Sequence, residues 1–456
     1  MRRRWKWLVL LVLLVVIPVV RVVWNRHEDR SANERTLAET EADLDLTDPG
    51  WRLDDLLAER DATIPPDDRN LTKLCWDIYE KRPDSFDQWT RQRGDWSPSP
   101  DFNHLPATDK LDAARQVRSE ADEVVRMAHA TSQRPTGGWK LVVKPNPFDT
   151  LLEHMQRVRT VATLLELDAV VAAADQDWPT AIAAVAAGVH VGGSVGDEPL
   201  LISQLVRMAT DAIAVGGAER MVGLGEPPAD QLMALQAALL AEADVPRLVF
   251  AFRGERAFYH RMFANLDAGQ FAIGQLAGDK GSTGDGFGGW IYRGHLPSDQ
   301  AFTLNFVTEL LAIARRPHHE QIDLYASVEL PPKNQSRALS RLILPAFDKV
   351  TVAEWRTVAR LRSAAVGLAC ERFRQKAGRW PADLAELRDF LPTIPLDPYD
   401  GQPLRYATRD DGVVVYSVGP DRQDDGGTLS YKLPELGEDV GFRLWDVAAR
   451  RQPAEE

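Results

Sequence analysis

A chain of 456 residues exceeds what one ordinary hydrophobic core covers, so two or three domains are expected. The apolar fraction of 44% and the charged fraction of 27% are typical of a globular protein. The net charge of -13 argues against nucleic-acid binding, because neutralising phosphates requires an excess of Lys and Arg. With only two cysteines, Cys75 and Cys370, the fold must depend on its apolar cores, and the sequence does not show whether the two form a disulfide.

The first 24 residues combine a basic start with a long apolar run. Residues 5–24 would measure about 30 Å as a helix, which is the thickness of a bilayer core. Tryptophans stand at both ends of this run, where aromatic residues mark membrane interfaces. Four basic residues at the start favour a cytoplasmic N-terminus, although Arg26, Arg30 and Arg35 on the other side weaken that preference. We expect a single-pass anchor in a bacterial inner membrane, with the bulk of the chain extracytoplasmic.

A cleaved signal peptide is the alternative interpretation of this start. Its apolar region would have the right length, but no small-residue cleavage site follows the run. The residues after Val20 are Arg-Val-Val-Trp-Asn-Arg, which favours an anchor that is retained.

Residues 25–50 are polar and acidic, which predicts a tether between the anchor and the folded body. Pro49 and Gly50 then indicate a turn, and the apolar residues from Trp51 onward predict a short helix. This stretch resembles a segment of uncharacterised bacterial single-anchor membrane proteins. The resemblance implies no activity.

Residues 51–345 are predicted to form a helical domain. From about residue 107, apolar side chains recur at three- and four-residue spacing, as in an amphipathic helix. Breaks are expected at Trp178-Pro179, Gly192-Gly193, Gly216-Gly217 and Pro227-Pro228. Helices joined by short turns favour an antiparallel array of helical hairpins. Residues 275–299 are rich in glycine and predict a long loop, after which helix resumes near Asp299.

Residues 350–446 are predicted to form a separate α+β module. An apolar face runs from Val352 to Phe373, and Gly378 is expected to end that helix. Pro381 suits the first turn of a following helix. The alternating stretches 404–408 and 413–418 predict two strands, with Asp411-Gly412 as the hairpin signal, and 442–444 a third. Residues 447–456 are expected to be a disordered tail.

The predicted fold class is therefore mainly α. It comprises an N-terminal transmembrane helix, a helical-hairpin array, and a small C-terminal α+β module with an antiparallel sheet.

Three motifs of this module come in order. They are Gly378-Arg379-Trp380-Pro381, Asp397-Pro398-Tyr399-Asp400-Gly401-Gln402-Pro403-Leu404-Arg405-Tyr406, and Tyr416-Ser417-Val418-Gly419-Pro420-Asp421. Together they resemble the C-terminal part of the major pseudopilin of type II secretion systems, over about residues 365–440. The resemblance implies a long helix packed on a small antiparallel sheet and an acidic loop that binds calcium. Unlike in that family, the anchor lies more than 300 residues before the module.

The acidic loop is the candidate metal site. Asp421, Asp424 and Asp425 are crowded together, and such charges repel unless they face water or gather around a cation. Calcium takes six to eight oxygen ligands, and Gly426-Gly427 would allow backbone carbonyls to turn inward. Asp439 stands where the resemblance implies a later acidic ligand. The sequence therefore predicts a calcium site at these four aspartates; a solvated acidic loop is the alternative.

One further motif suggests chemistry. Gly192-Gly193-Ser194-Val195-Gly196 matches the nucleophile elbow of serine hydrolases, which requires a strand before the serine. The segment before Ser194 predicts a helix instead, so a turn between helices explains the motif better. We expect a non-enzymatic binding or scaffold protein, with envelope or secretion proteins as candidate partners and calcium bracing the C-terminal module. A serine hydrolase using Ser194 is the alternative.

Overall fold

The computed structural model describes residues 2–92, 102–276, 286–331, 337–429, 431 and 438–454. Within these ranges the chain is mainly helical, with 66% helix and one three-stranded antiparallel sheet near the C-terminus. This confirms the mainly α class with a small C-terminal sheet.

The elements follow the chain in this order. The first helices are α1 (Arg2–Thr47), α2 (Leu53–Asp61), α3 (Leu71–Lys81), α4 (Asp84–Gln92), α5 (Thr108–Glu120) and α6 (Asp122–His129). Then come α7 (Glu153–Ala174), α8 (Trp178–Gly192), α9 (Leu201–Gly223), α10 (Leu232–Ala243), α11 (Arg247–Asp267) and α12 (Ile273–Leu276). The last helices are α13 (Gly286–Tyr292), α14 (Leu296–Ala314), α15 (His318–Ser327), α16 (Ala338–Ile343) and α17 (Ala346–Ala377). The strands are β1 (Arg405–Arg409), β2 (Gly412–Ser417) and β3 (Val440–Trp445).

Helix α1 continues through the stretch predicted to be a tether, so that prediction is wrong for residues 25–47. Its polar side chains meet polar partners on the folded body. Asn33 donates to the Gly294 carbonyl at 3.0 Å, and Arg30 pairs with Asp267 at 2.8 Å. Composition alone indicated a solvated segment because the partners that order it lie more than 230 residues away.

The end of α1 is locked by the turn that follows. Gly50 adopts a φ of +74°, as the predicted turn requires, and Trp51 is fully buried against Leu44 and Leu304. Arg256, 1% exposed, forms an ion pair with Asp48. The part of α1 from Arg26 onward is therefore packed against the folded body.

The predicted membrane span, residues 5–24, has a helical backbone, but most of its side chains lie outside the described residues. Its membrane location stays a prediction. Among the described residues, one helical stretch, Trp178–Val195, is long and apolar enough to cross a membrane. Because 61% of that stretch is buried inside the protein, it has the character of a core helix.

The centre of the body is formed by α7, α8 and α9, which pack against one another. Small residues allow the close approach: a Cβ at Gly188 on α8 would lie 3.5 Å from the Ala214 Cβ on α9. The break predicted at Gly216-Gly217 is wrong, because both glycines lie inside α9. Gly217 instead sits near Val185 of α8, where its missing side chain leaves room for the neighbour.

The glycine-rich segment 275–299 is also more helical than predicted. It contains α13 and the start of α14, which begins at Leu296, before the predicted Asp299. Tyr292 anchors this corner because its hydroxyl donates to the buried Asp299 carboxylate. Residues 277–285 lie outside the described part.

Helix α17 joins the helical body to the sheet. Its first part packs with the body and its later part lies against β2 and β3, where Gly367 leaves room for the ring of Phe442. Gly378, with φ of +72°, ends the helix as predicted. After it, residues Leu384–Asp389 form a 3-10 helix, shorter than the α-helix predicted to start at Pro381.

The sheet has the order β1-β2-β3, with Tyr406 paired to Val415 and Val415 paired to Phe442. The predicted hairpin and third strand are confirmed. The turn residues are Asp410 and Asp411, because Gly412 already pairs with Arg409.

The C-terminal tail is ordered through residue 454, which contradicts the predicted disorder for residues 447–454. Leu105 donates to the Gln452 carbonyl at 2.9 Å, and Gln452 donates back to Asn103 at 2.8 Å. Arg450 makes two hydrogen bonds to Glu371 in the interior. These partners, distant in sequence, give the tail the order that its composition did not indicate.

Candidate functional site

The C-terminal module is organised around Asp397, a fully buried carboxylate. It accepts hydrogen bonds from the Ser417 hydroxyl at 2.7 Å and from the Val418 amide at 2.9 Å. Arg405 donates to the same carboxylate at 3.0 Å. Burial raises the pKa of Asp397, and the hydrogen bonds from the Tyr399 amide, the Ser417 hydroxyl and the Val418 amide oppose the rise. The turn after residue 396 is thereby tied to the end of β2, where the acidic loop begins.

Asp424 is held by protein partners. Its Oδ1 accepts from the Tyr416 hydroxyl and from the Gly426 amide, both at 2.9 Å. Arg405 Nε lies 3.5 Å from Asp424 Oδ2, so one guanidinium links the Asp397 turn to the acidic loop. A cation that binds Asp424 would therefore have to use a carboxylate that already contacts Arg405.

Asp439 is the buried carboxylate of the predicted set. Its Oδ2 accepts from the Gly427 amide at 2.6 Å, whereas its Oδ1 is buried without a hydrogen-bond partner in the described chain. Burial, together with the nearby charges of Asp424 and Asp425, raises the pKa of Asp439 to about 6, although the bond from the Gly427 amide opposes the rise. The structure thus brings these three carboxylates into one electrostatic neighbourhood.

The remaining predicted ligands lie at the surface. Asp421 accepts from the Gln423 amide at 3.0 Å, in a local turn, and Asp425 is exposed. No group of three or more His, Cys, Asp or Glu side chains in the described ranges is placed to hold a metal. The buried Oδ1 of Asp439 is a feature of the described part of the loop that fits a cation, and calcium binding stays a prediction.

Ser194 lies in a setting unlike a nucleophile elbow. Helix α8 precedes it, a 3-10 turn from Gly193 to Val195 contains it, and its side chain is 1% exposed. It faces the buried thiol of Cys75, and in the described part of the chain no hydrogen bond joins its hydroxyl to a histidine. The two cysteines, Cys75 and Cys370, are buried and not bonded to each other.

A cleft that the sequence did not predict lies along α9 and α17. It has a volume of about 330 Å³ and a mostly apolar lining. Side chains on its walls include Leu205, Met208, Ala212, Arg356, Thr357, Arg360 and Tyr431. We call it the α9–α17 cleft. A second hollow of about 250 Å³ shares Ala212, Arg360 and Tyr431 and extends it along α9.

One end of the α9–α17 cleft is bounded by a buried charge cluster. Arg247, fully buried, contacts Asp211 at 2.9 Å, Glu242 at 2.8 Å and Glu354 at 3.3 Å. Arg207 adds two hydrogen bonds to Glu242, at 2.7 and 2.8 Å. Five residues from α9, α10, α11 and α17 therefore form one network.

The environment of the cluster shifts the pKa values of two of its carboxylates in opposite directions. Burial, followed by repulsion from Glu242, raises the pKa of Asp211. Although burial opposes it, Arg247 holds the pKa of Glu354 below its ordinary value. In the sequence, the signal for this cluster is charged residues within apolar helices. Hydrophobic periodicity does not show which of these residues contact one another.

Glu219 connects α9 to the C-terminal module beside the same cleft. Its Oε1 accepts from the Tyr431 hydroxyl at 2.9 Å and from the Arg443 amide of β3 at 2.7 Å. Burial raises the pKa of Glu219 to about 7, although Arg360 and these two bonds oppose the rise. The cleft therefore lies where the helical body, α17 and the sheet module meet.

No family model matches this sequence, and neither the curated proteins nor the solved structures that were compared contain a match.

Proposed function

We propose that this chain is a membrane-anchored, extracytoplasmic binding or scaffold protein of the bacterial envelope, and that it holds a protein partner in the α9–α17 cleft. The cleft is the observation that carries the proposal. Binding sites are concave and mainly apolar, with a few polar groups that set orientation, and the lining of this cleft has that composition. In this proposal the helices form an array of hairpins that presents the cleft to the partner.

The charges around the cleft favour a particular partner segment. Arg356 and Arg360 stand on the α17 wall, whereas the α9 wall contributes Leu205, Met208 and Ala212. An apolar segment with an acidic residue would bury its side chains against α9 and pair its carboxylate with α17. Arginine suits this role because its fork of donors matches a carboxylate.

The C-terminal module is proposed to be a pseudopilin-like brace. Its long helix, small antiparallel sheet and acidic loop are the parts that the resemblance implies. Calcium would bind at Asp439 with Asp424, Asp425 and Asp421 in support, and it would supply positive charge where three carboxylates repel one another. Such a site would hold the loop in place and would leave any chemistry to the partner.

The anchor is proposed at residues 5–24, with the N-terminus in the cytoplasm. The docked part of α1 supports this arrangement, because a helix that continues from the span into the body connects the two without a flexible joint. The helical surroundings and the burial of Ser194 favour binding over hydrolysis.

A site-specific photo-crosslinker at Thr357, in the full chain in its membrane, tests the proposal. We expect a discrete adduct with one extracytoplasmic protein. Filling the cleft with Ala212→Trp, or reversing its charge with Arg360→Glu, should abolish the adduct. The same probe at exposed Met233 on α10 serves as the control. Equal labelling from both positions would overturn the proposal.

A further inference from the structure

The register of α1 against the body determines which part of the body lies nearest the proposed membrane. Arg26 contacts Trp290, Asn33 contacts Gly294, and Leu44 packs with Leu304. Residue numbers rise together on both helices, so α1 and α14 run parallel. The end of the body next to the anchor is therefore formed by α13, the start of α14 and the C-terminal end of α11.

Helix α13 meets α1 directly beyond the proposed span. The Arg26 guanidinium lies 4.1 Å from the centre of the Trp290 ring, and its Nε donates to the Trp290 carbonyl at 2.9 Å. Arg26 is two positions after Trp24 in the helix, a rise of about 3 Å. The Trp290 ring is thus about level with the outer edge of the span.

The sequence of α13 suits that level. It reads Gly-Phe-Gly-Gly-Trp-Ile-Tyr, and both Trp290 and Ile291 are partly exposed. Each headgroup layer of a bilayer is about 5–8 Å thick, so a residue a few ångströms beyond the span lies inside it. Tryptophan is enriched in this layer because its ring is apolar and its N–H is polar.

Basic side chains surround the same corner. Arg26 lies over the indole ring of α13, and Arg30 donates to the Arg293 carbonyl at 3.1 Å. The acidic groups paired here are Glu34 and Asp267, and both contact Arg30. Guanidiniums at this level can pair with the phosphates of a lipid surface, although Glu28 and Asp29 in the same part of α1 offset some of their charge.

We infer that Trp290 and Ile291 of α13 form a second membrane contact, seated in the phospholipid headgroup layer beside the anchor. The inference rests on the proposed anchor at residues 5–24. It adds that the body itself touches the lipid surface, through a helix more than 260 residues from the anchor in sequence.

Depth measurements with single nitroxide labels test this inference. The full chain is reconstituted in phospholipid bilayers with a label at Ile291→Cys, at Val20→Cys in the span, or at Met233→Cys on α10. The native cysteines are buried, and burial raises the thiol pKa of Cys75 to about 12, which limits their labelling. Collisions with a water-soluble nickel chelate report exposure to water.

We expect the labels at 20 and 291 to collide with the chelate several-fold less often than the label at 233. A protected label at 20 with a water-exposed label at 291 would overturn the inference and leave the anchor intact. A water-exposed label at 20 would overturn the anchor and the inference together. If Ile291→Cys does not fold, Gly289→Cys in the same helix gives the same readout.

Discussion

The backbone of Gly254 on α11 lies directly against the carbonyl of Pro199, in the loop before α9, and a Cβ at residue 254 would overlap that oxygen. The contact places Glu255 so that its carboxylate accepts from the Leu201 amide at 2.9 Å. Helix α11 therefore supports the start of α9 without an intervening side chain.

Gly254→Ala should destabilise the protein, because the added methyl must push α11 and the Pro199 loop apart. Forced overpacking of this kind typically lowers the free energy of unfolding by about 1–3 kcal/mol. Gly216→Ala is the matched control: it also lies inside a helix, but nothing lies within 4 Å of the new Cβ. It should stabilise by about 0.5–1 kcal/mol, since alanine is the better helix former. Denaturant unfolding measures both, and equal effects would contradict the close contact.

Arg247→Met should remove much of the stability of the helical body. The change leaves Asp211, Glu242 and Glu354 buried without their shared cation, and breaking such a pair costs about 3–5 kcal/mol. Arg316→Met is the control, because its side chain is 60% exposed in its pair with Glu320. That control should change the free energy of unfolding by about 1 kcal/mol at most. A similar small loss at residue 247 would show that the cluster is not held by its arginine.

Glu219→Gln should become relatively more stable than the wild type as the pH rises. The folded pKa is about 7 and the ordinary value 4.5, so between these the folded state keeps a proton that the unfolded state has lost. Wild-type stability therefore falls as pH rises through this window, and the fall is complete above the folded pKa. Glutamine keeps an acceptor oxygen for Tyr431 and Arg443 but does not titrate.

Unfolding of both proteins between pH 5 and pH 8 measures this effect. The exposed Glu309→Gln serves as control and should show no such trend. A difference in stability between the Glu219→Gln variant and the wild type that stays constant with pH would contradict the raised pKa.

Trp51→Ala should release α1 from the body. The ring is fully buried, and its Nε1 donates to Asp45 at 2.9 Å. Truncating a buried tryptophan typically costs about 3–5 kcal/mol. We expect trypsin to cut at Arg30 and Arg35 rapidly in the variant and slowly in the wild type. Leu46→Ala is the control, because Leu46 lies on α1 and is 83% exposed. Trypsin should cut this variant as slowly as the wild type. Rapid cutting of all three proteins would contradict the docking of α1 and would favour a flexible tether.

Calcium should bind the acidic loop with a dissociation constant of about 10⁻⁴ to 10⁻³ M, the range of extracellular calcium modules. Because the cation displaces the proton of Asp439, whose pKa is raised to about 6, affinity should increase as pH rises through 6. Asp439→Asn and the double variant Asp421→Ala/Asp425→Ala should lose binding in calorimetric titration. Asp389→Asn, with an 83% exposed side chain, is the control. A wild type without saturable binding would leave a solvated loop.

The sequence predicted best where local rules act. Alternating residues after Leu404 form the hairpin, and Gly378 ends α17 in the left-handed conformation that glycine favours. These features depend on neighbours within a few residues, which a single sequence contains. The acidic loop was likewise found from local charge density.

The features that were missed depend on distant partners. Arg256 forms an ion pair with Asp48, Arg450 forms one with Glu371, and Arg247 contacts three carboxylates on three other helices. A polar segment such as 25–47 is ordered or free according to whether such partners exist elsewhere. Charged residues inside apolar helices were the available signal, and only the fold shows which of them meet.

The docking of α1 also limits how far the body can move relative to the proposed anchor to meet the proposed partner. A flexible chain of about 26 residues has a root-mean-square end-to-end distance of roughly 28 Å, and the body could move that far from its point of attachment. Because α1 is packed along α11 and α14, the body does not have this freedom of movement. The height of the cleft above the proposed anchor is therefore constant. The protein would then bind the proposed partner only where its binding segment lies at one fixed distance from the bilayer.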